Sequence, residues 1–413
     1  MTEQAGAAAT TNGVSQPDDS MMASAFELLS DLSNPQPKYV AMIRNAPCVT
    51  PFDGLLMSYG RESTDAILRS ADLFSSSTPL GLGNVRPLIP LNVDPPEHAK
   101  YRKILDPLFA PKAMDRQESD IAMRVNRFIG VFRDRGECNF TEEFADQFPS
   151  SVFLGLMGLP SSELDTMLRL RDGILHPEKI DPAASVDLDV RAGVNAATGR
   201  EIYTYFESWL NERARDPRED ILTHFLNAEI DGDRLSREEI LDICFLFLIA
   251  GLDTVSDSLT LFWAFLARNP AHRRQIVDDP SIIPTAVEEL LRWESPVPVG
   301  VPRLATTDTT LPGGIRVDAG TACMVSYGAA NMDPDEFGDP ETVRFDREKN
   351  RHIAFGGGVH RCLGSHLARR ELRIALREWH RVIPDYRITP GHEELEYPPG
   401  LRHVKDLMLS WDA

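Results

Sequence analysis

One segment limits this chain more than any other: the run from Arg237 to Arg268. Ser236 and Glu239 have the spacing of a capping box at its start, and Asn269-Pro270 stops it. At 1.5 Å per residue the predicted helix is about 48 Å long. Its middle, Ile243 to Leu252, is apolar on all sides, so the helix should cross the interior of the protein. That apolar run is about half of what a membrane span needs, and Asp242 and Asp253 bracket it. It therefore belongs to a core.

Further helical periodicity covers Asp115 to Arg135, Thr141 to Leu156, Gly199 to Arg215 and Leu363 to Ile383. Prolines start two more helices, Pro270 to Asp278 and Pro284 to Trp293. Strand-like pieces are few and short, such as Thr321 to Ser326. With no repeat and no Gly/Ser linker, the simplest organisation is one large helix-rich domain over residues 21–413, preceded by a loose tail over residues 1–20. The net charge of −20 repels phosphate backbones, so nucleic acid is an unlikely partner. Five cysteines lie far apart with no Cys-x-x-Cys pair, which suggests neither a disulfide framework nor a zinc cage and fits a reducing cytoplasm. No secretory signal is present at the start.

Cys362 stands apart from the other four. The sequence Phe355-Gly356-Gly357-Gly358-Val359-His360-Arg361-Cys362-Leu363-Gly364 puts it at the mouth of a helix after a glycine-rich turn. Glycines let the backbone take positive φ and pass close to a flat ligand, and free N–H groups at a helix start favour a thiolate. A phosphate loop would want Lys-Ser/Thr after its glycines, and none is there. The pattern Phe-Gly-x-Gly-x-His-x-Cys-x-Gly resembles the haem-binding loop of the cytochrome P450 family. That resemblance implies haem b held by Cys362 as axial thiolate, a ligand that favours O–O cleavage. It also implies Phe355 shielding the sulfur, with Gly364 and the amides of the loop tuning it.

In the long helix, Ala250-Gly251-Leu252-Asp253-Thr254 is similar to the family's distal signature. Gly251 removes bulk where a ligand could lie, and Thr254 can bond back to the Ala250 carbonyl and loosen the helix. Asp253 in an apolar stretch is costly to bury without a task or a partner. The resemblance implies a proton relay through Asp253 and Thr254.

Glu289-x-x-Arg292 places both side chains on one helix face. It matches the family's Glu-x-x-Arg pair, whose third member is expected at Arg344 as structural support. The run from Asp94 to Arg102 resembles the family's Asp-Pro-Pro-x-His-x-x-x-Arg stretch, and His98 and Arg102 share a helix face. With His360 and Arg303, these residues are the implied partners of the haem propionates.

By family position, substrate should meet Leu248, Ala250, Gly251, Val297, Val299 and Val301. Further contacts are expected from the loop between Ser75 and Pro90 (Leu80, Leu82, Val85, Leu88, Ile89), from the poorly patterned stretch Arg171 to Thr198, and from Gly400-Leu401. Most of the named side chains are aliphatic, which predicts an apolar terpenoid, sterol or lipid. Arg86, Arg171 and Asp172 are candidates for a polar handle. Arg361, Arg369, Arg370, Arg373 and Arg377, with Lys103, Lys112 and Arg116, form a basic group able to steer an acidic donor. The implied function is a mainly α, cytoplasmic P450 monooxygenase using dioxygen and electrons from a ferredoxin and its reductase. Desaturation, epoxidation or coupling in a biosynthetic pathway, and a non-catalytic haem carrier, are the alternatives.

Overall fold

A computed structural model describes residues 32–77, 82–230 and 232–412. The tail expected over residues 1–20, and Leu80, lie outside the described residues.

The long helix forms over Arg237–Arg268, and its capping box closes in both directions. The Glu239 amide donates to Ser236 Oγ at 3.1 Å, and the Ser236 amide donates to Glu239 Oε2 at 2.6 Å. The helix then runs through two apolar cores. Its first half packs with Leu88, Phe109, Phe153, Leu170 and Phe206. Its second half packs with Phe140, Phe148, Leu290, Leu372 and Trp379. Where one core gives way to the other the sequence inserts Asp253, Ser256 and Asp257, all buried.

The proline-started helices form over Pro270–Asp278 and Ile283–Glu294, and the helix after the cysteine loop over Ser365–Val382 packs against Glu118–Phe132. The stretch after Arg171 is more regular than its pattern suggested. A helix over Leu164–Leu175 and two 3₁₀ turns lead into a helix that starts at Leu188, not Gly199, and ends at Arg215. Small residues hide its periodicity for a packing reason. A Cβ on Gly199 would lie 2.2 Å from the Gly83 carbonyl oxygen, so loop and helix meet backbone to backbone. The Asn195 amide donates to the carbonyls of Gly173 and Ile174 at 2.9 and 2.8 Å, fastening the same helix to its predecessor.

The β region is small. Its largest sheet has five strands in the order Cys48–Phe52, Leu55–Ser58, Ala322–Val325, Arg303–Ala305, Phe74–Ser75. The predicted strand around Thr321 to Ser326 occupies its centre, with Cys323 and Val325 turned into the core. It pairs Cys323 with Arg303, which fixes where that arginine enters the interior. None of the described helices is long and apolar enough to cross a membrane.

Candidate active site

Among the cysteines Cys362 alone is accessible, and the other four are buried. Its loop is folded by two glycines at positive φ, Gly356 at 66° and Gly358 at 64°. A Cβ on Gly358 would sit 1.9 Å from the Leu68 carbonyl oxygen, so the loop is laid directly on the end of the helix Arg61–Arg69. The Cys362 amide donates to the Phe355 carbonyl at 2.9 Å, closing the turn. Accessibility and crowding by protein coexist at the sulfur, as they do on the wall of a cavity. That crowding pushes the thiol pKa up, while the Gly364 amide and the charges of Arg361, Arg102 and Arg369 pull it down. Phe355 packs beside the loop with the Arg369 guanidinium 4.4 Å over its ring.

Four basic residues converge next to the loop. The His98 and His360 rings lie 4.2 Å apart between centroids, and Arg303 is buried. His360 Nε2 meets Ser76 Oγ at 2.6 Å, and Asp94 in turn accepts from Ser76 Oγ and from the Ser75 hydroxyl. His98 Nε2 is buried without a hydrogen-bond partner among the described residues. Arg102 donates to the Arg361 carbonyl at 3.0 Å, tying helix Glu97–Leu105 to the cysteine loop. Burial, the His98 ring and the Arg303 charge press the His360 pKa down to about 3, and burial with Arg102 lowers His98. Basic groups that discharge one another, with an orphaned ring nitrogen among them, are complementary to a dianion. Haem, with its two propionates, fits this cradle and the cysteine beside it.

On the long helix, Ala250 and Gly251 are exposed and Thr254 is half-buried, although the residues around them are buried. The three share one face, and Thr254 Oγ1 donates to the Ala250 carbonyl at 3.1 Å as expected. Gly251 has a packing reason of its own, since a Cβ there would meet the Phe153 ring at 3.3 Å. Val297, Val299 and Val301 are each half-buried in a bent segment, and Val297 packs against the core around Cys323, Val325 and Tyr327. Leu248 is a correction. It lies roughly a third of a turn from the open face and is fully buried in the core, so it packs the helix against its neighbours. Leu88 and Ile89 are likewise core residues, Val85 is turned to solvent, and Leu82 and Leu401 are partly buried.

Asp253 does not stand beside Thr254. Its carboxylate points roughly a third of a turn around the helix, where His176 Nε2 donates to it at 2.9 Å and Arg171 Nη1 lies 3.6 Å away. Burial alone would raise the carboxyl pKa, but the His176 hydrogen bond and the Arg171 charge outweigh it and hold it well below the usual carboxylate range. Arg171 is also bound to Asp146 and Asp172 and is 1% exposed, so it offers no handle to a substrate. Neither partner of Asp253 was named as such from sequence. They lie on another helix some 80 residues earlier, and no spacing rule joins them.

The Glu289 cluster also differs from expectation. Arg292 grips Glu289 with two bonds of 2.9 Å, and the third member is Arg347, at 3.0 and 3.2 Å. Arg344 contributes only its amide, at 2.9 Å, while its side chain faces solvent. The meander turns Phe345 and Arg347 inward instead. Four of the eight residues of the basic group are likewise engaged: Arg369 and Arg373 bind Glu288, Arg370 binds Asp115 and Glu118, and Arg377 binds Glu118 and Glu378.

Comparison with known proteins identifies the family and the fold. A family model described as Cytochrome P450 matches residues 196–279 and 281–394. The chain is 33% identical over 351 residues to a protein of Sinorhizobium fredii named "Probable cytochrome P450 127A1", spanning 85% of this chain and 80% of that one. It is 32% identical over 360 residues to a steroid C26-monooxygenase of Mycolicibacterium smegmatis, with 85% and 86% covered. The crystal structure of CYP109E1 from Bacillus megaterium in complex with testosterone matches with a TM-score of 0.81 at 27% identity, covering 92% of this chain and 100% of that one.

Proposed function

The chain belongs to the cytochrome P450 family of oxidoreductases, and we propose that it is a haem b monooxygenase that hydroxylates an apolar small molecule of terpenoid, sterol or lipid type. The observation that carries this reading is the accessible Cys362 in its double-glycine turn, flanked by the cradle of His98, Arg102, Arg303 and His360. When bound there, haem supplies the reductive activation of dioxygen and the transfer of one oxygen atom.

The chain's own residues do the rest. The Gly364 amide and the field of Arg361, Arg102 and Arg369 favour the thiolate at Cys362. His98, His360, Arg102 and Arg303 would bind the propionates, with His98 and Arg303 the most deeply buried of the four. Ala250 and Gly251 leave the helix face low, and the Thr254 hydroxyl, leaning on the Ala250 carbonyl, can hold a proton or a water there. Asp253 provides the ionised acid behind it.

The half-buried valines at 297, 299 and 301 support an apolar ligand, as does the likeness to a steroid C26-monooxygenase. For electrons we assign a ferredoxin and its reductase, docking near the exposed Arg361, Lys112 and Arg116. The test is spectroscopic and chemical. The reduced carbon monoxide adduct should absorb as a thiolate-ligated haem, and apolar candidates should shift the ferric spectrum from low to high spin. With dioxygen and a ferredoxin system, a shifting compound should then gain one oxygen. An adduct like that of histidine-ligated globins would overturn the assignment. A spin shift without product would reduce the protein to a carrier.

A further inference from the structure

Flanking the long helix, roughly a third of a turn around from Thr254, lies a polar cavity of about 580 Å³. Its walls come from the π-helical turn Thr141–Ala145, from the end of helix Leu164–Leu175 with the turn after it, and from the segment around His403. Exposed Glu142, Lys405 and Asp406 stand among its lining, while Asp253, Ser256 and Asp257 lie deep in it. Asp257 is one turn beyond Asp253 on the same helix face and is 3% exposed. Its Oδ2 has no hydrogen-bond partner among the described residues, and its Oδ1 lies 3.7 Å from His403 Nδ1. An unpartnered carboxyl oxygen beside a polar cavity with room for many waters is a place for solvent and for a proton.

Resting on the reading of the chain as an oxygen-activating enzyme, we propose that Asp257 holds a proton at the floor of this cleft and exchanges it through water with Asp253. The proton enters from cleft water, resides on the Asp257 carboxyl, and passes by an intervening water to an oxygen of Asp253. A second proton, relayed from bulk solvent along the cleft waters, then restores Asp257, so that the net transfer is one proton from solvent to Asp253, only O–H bonds are exchanged and no electrons move. Burial, and next the Asp253 charge, push the Asp257 pKa well above the ordinary range, so it is the neutral member of the pair. Arg171, Asp146, Lys179 and His403 also face Asp257. His176 faces Asp253, Arg171, Asp172, Glu178, Lys179 and His403. Burial works against its protonation, but the Asp253 hydrogen bond prevails and raises its pKa. The two helix acids are thus held in opposite protonation states by different neighbours: Asp257 stores the proton, and transfer to Asp253 is uphill and completes only when the proton is drawn onward from Asp253.

The experiment uses the holoenzyme after its thiolate spectrum has been verified, so failure of the family-level reading shows before any variant is made. Infrared difference spectra between wild type and Asp257→Asn should contain the carbonyl stretch of a protonated carboxylic acid at neutral pH, shifted in heavy water. Glu371, another buried acid with a raised pKa, on the helix Ser365–Val382, supplies the control through Glu371→Gln. Coupling of reductant use to product should fall about tenfold in Asp257→Asn, within reach of general acid–base effects. Its alkaline limb should vanish there, return in Asp257→Glu, and stay unchanged in Glu371→Gln. Absence of the band, or an alkaline limb that persists in Asp257→Asn and so belongs to His176, would overturn the proposal.

Discussion

Two clusters of buried charge lie in this molecule, and they are built differently. Around Glu289 both carboxylate oxygens and both guanidiniums are answered, and Asn350 Oδ1 is the cluster's one oxygen without a partner among the described residues. The carboxylate receives Arg292, Arg347, Asn350 and the Arg344 amide, while the arginines reach the carbonyls of Asn331, Pro340, Phe337 and Thr342. Around Asp253 the accounts stay open: Asp257 has a free oxygen, His176 can change charge, and a cavity adjoins both. A saturated cluster can only hold its shape, whereas an unsaturated one beside water can exchange protons. The first supports the ground beneath the cysteine loop, and the second flanks the reacting face.

The harshest test of this contrast is Glu289→Ala, which strands two buried arginines. It should lower stability by about 3–5 kcal/mol in denaturant titration of the holoenzyme. A loss below about 1 kcal/mol would break the comparison. On the other side, Thr254→Ala should leave the ligand-induced spin shift nearly intact while product per reductant drops on the order of tenfold and peroxide appears. Unchanged coupling would remove Thr254 from the mechanism.

Acid titration should separate the clusters by sign. The pKa of Glu289 is lowered, against burial, chiefly by Arg292 and then Arg347, so its contribution is present above the ordinary glutamate range and lost as pH falls through and below it. That of Asp257 is raised, so its contribution runs the other way and stability is lost as pH climbs above the ordinary aspartate range. Asp257→Asn should therefore raise the melting temperature at neutral pH and leave it nearly unchanged in acid. An unchanged melting temperature at neutral pH would contradict the neutral state of that carboxyl. The smallest effect belongs to the meander: Arg344→Ala should change stability by no more than about 0.5 kcal/mol, whereas Arg347→Ala should approach the loss seen for Glu289→Ala.

Features governed by local rules were legible in the sequence. The long helix ends where its capping box and Asn269-Pro270 place it, and the glycine turn singles out Cys362. His98 and His360 come together from segments more than 250 residues apart, and only the resemblance joined them. What was not legible depends on contacts without a period. Arg347 displaces Arg344 because an irregular meander, not a helix, chooses which side chains turn inward. Arg171 and His176 reach Asp253 across the fold. The start of the Leu188–Arg215 helix was obscured because the residues that pack most closely there carry the least side chain.

That last junction restricts anyone wishing to retune the enzyme. Gly83 and Gly199 touch through their main chains, so neither has a side chain to exchange, and an alanine at either would wedge the loop off the helix. Remodelling should act on residues whose side chains can be exchanged, such as the half-buried valines at 297, 299 and 301 proposed to meet substrate, and leave the glycine seam as it is.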